Sequence, residues 1–387
     1  MATNEQPTDY HQFRGTGSLT LTDDPISLTA ALVDIYSESH NEQVIADVLE
    51  TALREIPEVE VVRQGHTIIA RTQRDLGDRV ILAGHIDTVP PANNLPSRIG
   101  VDEQTGQETL FGLGSVDMKS GAACYIHAFA TLANSPDLRR DLTLVLYECE
   151  EVSTKYNGLH RLVRTNPELF DGSVALLGEP SNAQIEAGCQ GTLRLRVTAH
   201  GQRAHSARSW LGDNALHKLA RVMVRAADYG TAAVEIDGLT YREGLNFVVA
   251  ESGVATNTIP DEAWAFVNFR FAPNRTVDEA LAHTYEVLGI GTSEDPAEGF
   301  TIEIDDTASG ALPGLDQPAT QALVQATGGQ VHPKFGWTDV ACFTELGIPA
   351  VNFGAGDPGL SHTKDERCPV EQITTVSDQL LKFLTTA

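Results

Sequence analysis

The segment DLTLVLYECEE, Asp141 to Glu151, constrains the fold more than any other stretch of the chain. Leu142, Leu144 and Leu146 alternate with Thr143, Val145 and Tyr147, which reads as a strand buried on both faces. It runs without a break into Glu148, Glu150 and Glu151. Burying several anions together is strongly unfavourable unless a cation compensates them. A chain with this segment therefore needs a sheet covered on both sides and a positive charge at one strand end.

The surrounding texture supplies the sheet. Asp24-Pro25 has the form of a helix cap followed by proline at the first helical position, and Ile26, Leu28, Leu32 and Ile35 repeat at helical spacing. A second amphipathic helix runs through Val44, Ile45, Val48 and Leu49 to about Leu53. The strand-like runs VEVVRQ, HTIIART and RVILAGH follow, then a helix in DMKSGAACYIHAFATLA and strands in DLTLVLYE and SVALLGEP. Strands alternating with helices predict an α/β fold. From Gly191 the pattern changes to strand, helix, strand, strand, helix, strand, ending on FTIEID, which matches a split βαβ layer. The α/β texture then returns with a helix near Pro318 to Ala326, the strand PAVNFGAG and a closing helix after Val370. At 387 residues the chain is too long for one ordinary core. A discontinuous first domain over 1–190 and 308–387, interrupted by an inserted α+β domain over 191–307, is the expected organisation.

Charge narrows the partners. With 27 basic against 53 acidic residues the formal net charge is −26, a field that repels nucleic acid and anionic membranes. Neither is expected as a partner. The five cysteines are widely spaced and never form a CxxC pair, so neither a disulfide framework nor a zinc knuckle is indicated, and a reducing cytoplasm fits best. The N-terminal MATNEQPTDYHQF lacks a basic region followed by an apolar stretch and predicts no secretory signal. No run approaches the roughly 18 apolar residues of a spanning helix.

Polar ligand types recur where apolar strands end. RVILA leads into Gly84-His85-Ile86-Asp87, LTLVLY into Glu148, Glu150 and Glu151, VALLG into Glu179, and AVNFGAG is followed by His362; the loop before the DMKSG helix adds Asp117. Open α/β sheets bind ligands beyond the carboxyl ends of their strands. A mixed histidine and carboxylate set suits zinc, with cobalt or manganese as substitutes, and in a two-metal site roughly 3.5–4 Å across one carboxylate commonly bridges the ions. Any one of these residues alone reads more simply as a turn histidine or a solvated acid; their coincidence at strand ends is the signal. Gly112-Leu113-Gly114 opens toward a dinucleotide fingerprint, but Asp117 stands where the third glycine belongs. G-x-S-x-G, GxxxxGK[ST] and HExxH do not occur, which argues against a serine hydrolase elbow, a P-loop and a single-zinc protease helix.

GHIDTVPP, FGLGSVDMKSG, YECEEVST, LLGEPS and SHTKDE, in this order, resemble the motifs of the di-zinc deacylase and peptidase family, over nearly the whole chain. The resemblance implies a zinc-peptidase-like mixed sheet covered by helices, with the inserted domain serving dimerisation. It implies two divalent ions, most simply Zn2+, one held by His85, Asp117 and Glu179 and the other by Asp117, Glu151 and His362. Asp117 would bridge and be followed by a cis peptide to Met118, Asp87 would orient His85, and Glu150 would be the general base. Cys149 departs from the pattern usual before the EE pair, and leaves open a rival in which Glu148 is an extra ligand: strand alternation puts Glu148 and Glu150 on one face and Glu151 on the other.

In the inserted domain, HGQRAHSARSW resembles the segment whose histidine, here His205, reaches the partner subunit's active site to bind the oxyanion. Asn257, Arg270 and Thr338 would contact the substrate. The implied activity is hydrolysis of a small anionic N-acyl amino acid by a homodimer. The stretch KFGWTDVACFTELGIPAVNFGAGDPGLSHTKDE is most similar to desuccinylases of actinobacterial type, implying N-succinyl-LL-diaminopimelate as substrate. Acetylornithine deacetylation, or a broad aminoacylase or carboxypeptidase activity, is the second reading, and a catalytically inactive binding relative the third.

Overall fold

The computed structural model describes Gln12 and residues 19–386. All of MATNEQPTDYHQF except Gln12 lies outside the described residues, and with it the reading of a leader. The described residues form two compact units: residues 188–313 and 333–337 make the second, and the rest make the first.

The first unit is built on an eight-stranded sheet in the order Glu60–Gln64, Thr67–Arg71, Asp141–Tyr147, Arg79–His85, Val174–Leu177, Ala350–Asn352, Ile185–Ala187, Val331–Pro333. Its four middle strands, from Asp141–Tyr147 to Ala350–Asn352, are mutually parallel. Every residue of Asp141–Tyr147 and Val174–Leu177 is buried, so the sheet is covered on both faces, as the apolar runs require. The helix Lys119–Leu132 packs on Arg79–His85 and Asp141–Tyr147 and is flanked by Pro25–Val33 and Val370–Thr385. Asp24 caps Pro25–Val33 by accepting from the amides of Ile26 and Ser27 at 3.1 and 3.0 Å.

Parallel strands end on one edge. His85 ends its strand, Glu148 to Glu151, Gly178-Glu179 and Phe353-Gly354 follow theirs, and glycines let the backbone close in there. A Cβ on Gly121 of the helix Lys119–Leu132 would overlap the main-chain oxygen of Gly178, and one on Gly354 would overlap the same atom. Only glycine allows the helix and the neighbouring strand end to flank Gly178-Glu179 this closely. A separate antiparallel sheet of Arg98–Val101, Glu108–Phe111 and Arg367–Pro369 brings the loop before Lys119–Leu132 beside the segment after His362.

The second unit is a five-stranded antiparallel sheet in the order Thr231–Ile236, Leu239–Ser252, Glu262–Phe271, Gly191–His200, Phe300–Ala308. Leu193, Leu195, Val197 and Ala199 point to one face and join the core formed with the helices Ala215–Tyr229 and Val277–Leu288. Without Thr231–Ile236 this is the expected split βαβ layer. The added strand makes a hairpin around Asp237-Gly238, both at positive φ. Pro333–Trp337 belongs to this unit rather than to the C-terminal part of the first, and the Trp337 indole donates to the main-chain oxygen of Ser309 at 3.1 Å.

Candidate metal centre

In the first unit, His85 ends its strand with its ring fully buried. Its Nδ1 lies 3.0 Å from the main-chain oxygen of Asp87, which can only accept, so Nδ1 carries the proton. Nε2 then faces Asp117 Oδ1 at 3.1 Å, an imidazole lone pair against a carboxylate. Two acceptors hold that distance only with a cation between them, either a second proton or a metal. His362 repeats the arrangement from the other side: its Nε2 is 3.3 Å from Asp117 Oδ2 and 2.8 Å from Glu151 Oε2. The ligand atoms of His85, Asp117 and Glu151 all lie within 4.8 Å of one another. Both oxygens of Asp117 are thus addressed by different histidines, and this donor set fits divalent cations. The peptide Asp117–Met118 is cis.

The rivalry between Glu148 and Glu150 turns on one backbone angle. The strand ends at Tyr147, and Cys149 has φ +60°, so the alternation of strand faces does not continue through YECEE. Glu148 turns to Arg161 at 2.8 Å and accepts the Thr67 hydroxyl. Its charge is compensated by protein. Glu150 is half-buried and surrounded by acids instead. Burial pushes its carboxyl well above the usual range; His85 pulls it down, while Glu179, Asp339 and Glu151 push it further up.

The other charges follow the same balance. Burial works to raise Asp117, but hydrogen bonds from His362 and His85 hold its carboxyl low. Burial works against a charged His85, yet Asp117 and Asp87 keep its ring well above the ordinary range. Asp117 and Glu151 raise His362 to about 10. Burial raises Glu151 against the pull of His362. Glu179, which follows Val174–Leu177, is buried and is felt at Glu150 and at Tyr147.

Asp87 makes further contacts besides facing the His85 ring. Its main-chain oxygen meets the His85 ring, while the carboxylate, 3.4 Å from that ring, accepts the amides of Glu150 and Glu151 at 3.0 and 3.2 Å and the Ser39 hydroxyl at 2.7 Å. It ties the histidine strand to the EE turn. Nothing local in the sequence marks Ser39, nor Asp339, whose buried carboxylate accepts from Asn157 at 2.9 Å and meets His160 Nε2 at 2.8 Å. The acidic type at Asp339 was visible, but nothing in its spacing joined it to Asn157 and His160. Thr338 is buried, with its hydroxyl donating to Asn352 at 2.9 Å.

In the second unit, a two-residue ladder pairs His205 with Thr258 and brings Asn257 beside it; the His205 ring accepts from the amide of Ala207 at 3.0 Å. Arg270 pairs with Thr192 at the other end of Glu262–Phe271.

A parallel-centred α/β unit that gathers histidines and carboxylates at its strand ends, with one more, half-buried acid beside them, defines a metal-dependent hydrolase. The chain belongs to peptidase family M20/M25/M40, whose sequence model it matches over residues 81–386. It is 56% identical over 369 residues to the succinyl-diaminopimelate desuccinylase of Corynebacterium glutamicum, covering 95% of this chain and 97% of that one. A relative from Mycobacterium tuberculosis H37Rv is 52% identical over 369 residues, 95% and 99% of the two chains. The aminopeptidase PepT of Bacillus cereus shares the fold, with a TM-score of 0.75 at 19% identity over 94% of this chain and 98% of that one.

Proposed function

We propose that this protein hydrolyses N-succinyl-LL-diaminopimelate to succinate and LL-diaminopimelate. The observation that carries the reaction class is the convergence of His85, His362 and Glu151 on Asp117 beside the half-buried Glu150. The acyl group is supported by the 56% identity, over 95% of this chain, to the Corynebacterium glutamicum desuccinylase.

In this reading His85, Asp117 and Glu179 hold one divalent ion and Asp117, Glu151 and His362 the other, with zinc the first choice. Such a pair acidifies a water and polarises a carbonyl when bound. Glu150 takes a proton from the attacking water, whose oxygen bonds to the succinyl carbonyl carbon. The amide C–N bond then breaks, and Glu150 returns the proton to the leaving amine. Its burial keeps the proton affinity high enough for both transfers. Arg270, Asn257 and Thr338 are assigned to substrate recognition, and His205 to the developing oxyanion.

Homodimer formation belongs to the same reading. Glu262 to Arg270 spans eight residue steps of strand, about 26 Å, with Arg270 near where the chain enters the second unit at Gly188 and Asn257 and His205 at the far end. One copy of that unit cannot offer both ends to one small substrate. A second copy can. Mixing inactive Glu150→Gln with inactive His205→Ala should restore about a quarter of parental activity through heterodimers; no restoration overturns the shared site. The five cysteines are all buried thiols, which supports a reducing, cytoplasmic setting, and among the described residues no helix is long and apolar enough to cross a membrane. Comparing kcat/KM on N-succinyl-LL-diaminopimelate and N-acetylornithine tests the substrate, and a clear preference for the latter overturns it.

A further inference from the structure

Asp117, on which both histidines converge, sits in a loop with no ladder of its own. Apart from Ser115, which donates to the Gly112 oxygen at 3.1 Å, the amides from Gly112 to Asp117 must therefore find partners outside the loop. Leu113 donates to the main-chain oxygen of Asn94 at 2.9 Å, and Gly112 to that of Glu366 at 3.2 Å. Three more donors, the amides of Gly114, Val116 and Asp117, converge on one side chain. Glu366 Oε2 accepts from Gly114 at 3.0 Å, and Oε1 accepts from Val116 at 2.9 Å and Asp117 at 3.0 Å. Glu366 is 2% exposed. Successive amides turned inward make a nest for an anion, and here the chain's own carboxylate fills it.

The position of Glu366 gives this contact a second meaning. It lies four residues after His362 and directly before Arg367, whose pairing with Phe111 fixes the register of the two segments. The stretch from His362 to Glu366 therefore grips Asp117 at both ends: Glu366 Oε1 at its amide, 3.0 Å away, and His362 Nε2 at its carboxylate, 3.3 Å away. We propose that Glu366 is a positioning residue that fixes the Asp117 carboxylate for metal binding, an inference that rests on the metal reading of the site. A loop held at its amides presents Asp117 already oriented, so less order has to be created when the ions bind. Glutamine cannot substitute, because one of its two terminal atoms must point N–H groups at amides that are themselves donors. Aspartate, one methylene shorter, cannot reach all three.

The test compares the parent with Glu366→Gln. Zinc retention is followed by elemental analysis after dialysis against graded chelator, and amide exchange by NMR or mass spectrometry. The variant should release zinc at chelator strengths about 10–100-fold lower, and the amides of Gly114, Val116 and Asp117 should exchange faster. Leu219→Ala, in the core of the second unit, is the control for a loss of stability alone and should leave the chelator dependence unchanged. A folded Glu366→Gln that keeps zinc like the parent overturns the proposal, and so does a Leu219→Ala control that loses zinc equally. Should Glu366→Gln not fold, exchange in the metal-stripped parent decides: protected Val116 and Asp117 amides support the clamp, and exchange at open-loop rates overturns it. A parent that takes up no divalent ion overturns the reading of the site itself, a result distinct from failure of the clamp.

Discussion

Replacing Glu148 and Glu150 separately by glutamine should move activity and stability in opposite directions. Glu148 is compensated by Arg161 and Thr67, and the Arg161 side chain is 36% exposed. Water can therefore resolvate the guanidinium, and losing a partly exposed pair of this kind costs about 1 kcal/mol. Glu148→Gln should lower stability by that order and leave turnover within about twofold, since Glu148 supplies no proton transfer in this mechanism. Glu150 is the reverse. Its carboxyl lies well above the usual range because burial and the neighbouring acids disfavour its charge. A carboxyl raised in the folded state contributes stability that is complete below its unfolded value of 4.5 and lost as pH rises toward the folded value. At pH 7 the metal-stripped parent therefore carries a penalty that a neutral glutamine side chain removes, and Glu150→Gln should unfold at higher denaturant. Its turnover should fall about 10²- to 10⁴-fold, equivalent to about 3–5 kcal/mol of barrier, as expected for loss of a general base. Steady-state kinetics, metal content and denaturant midpoints of both variants are the assay. A Glu148→Gln protein that loses a metal ion, or more than tenfold in turnover, refutes the assignment; near-parental turnover of Glu150→Gln refutes it equally.

Asp87→Asn should weaken metal retention about 10–100-fold, because its new amide group meets backbone donors at Glu150 and Glu151; chelator titration reads this. Gly121→Ala should destabilise, although alanine in a helix normally gains about 1 kcal/mol over glycine, since overlap with Gly178 typically costs about 1–3 kcal/mol; a raised melting temperature would contradict the close approach. Metal uptake by stripped protein at pH 7.5 should release about two protons, from His85 and His362, because both rings are held protonated by Asp117 and its neighbours. Calorimetry in buffers of different ionisation enthalpy counts them. The same pairing gives the stripped protein a stabilisation complete below pH 6.5 and lost as pH rises through about 10, the raised value of His362; a denaturant midpoint that climbs over this range would contradict it.

What the sequence reveals of this protein depends on how local the cause is. The parallel middle of the sheet is legible because a strand covered on both faces must be apolar throughout, as Asp141–Tyr147 and Val174–Leu177 are. Ligand types at strand ends are legible for a related reason: an acid following a buried strand needs compensation. The direction in which each acid turns is not legible, because it hangs on the positive φ of Cys149, a conformation for which cysteine carries no preference. The hairpin at Asp237-Gly238 had a local signal in its DG pair, and alternation in TAAVEI supported it. Ser39, Asp339 and Glu366 had none. Each is an ordinary residue whose partner lies far along the chain: Ser39 meets Asp87, Asp339 meets Asn157, and Glu366 meets Gly114. Direct ligands are restricted to a few residue types at a few places, whereas the groups that hold them need only a donor or an acceptor at the right point. Substitutions at these supporting positions should therefore be harder to foresee from sequence than those at His85 or His362, while still reaching the metal centre through the backbone they fix.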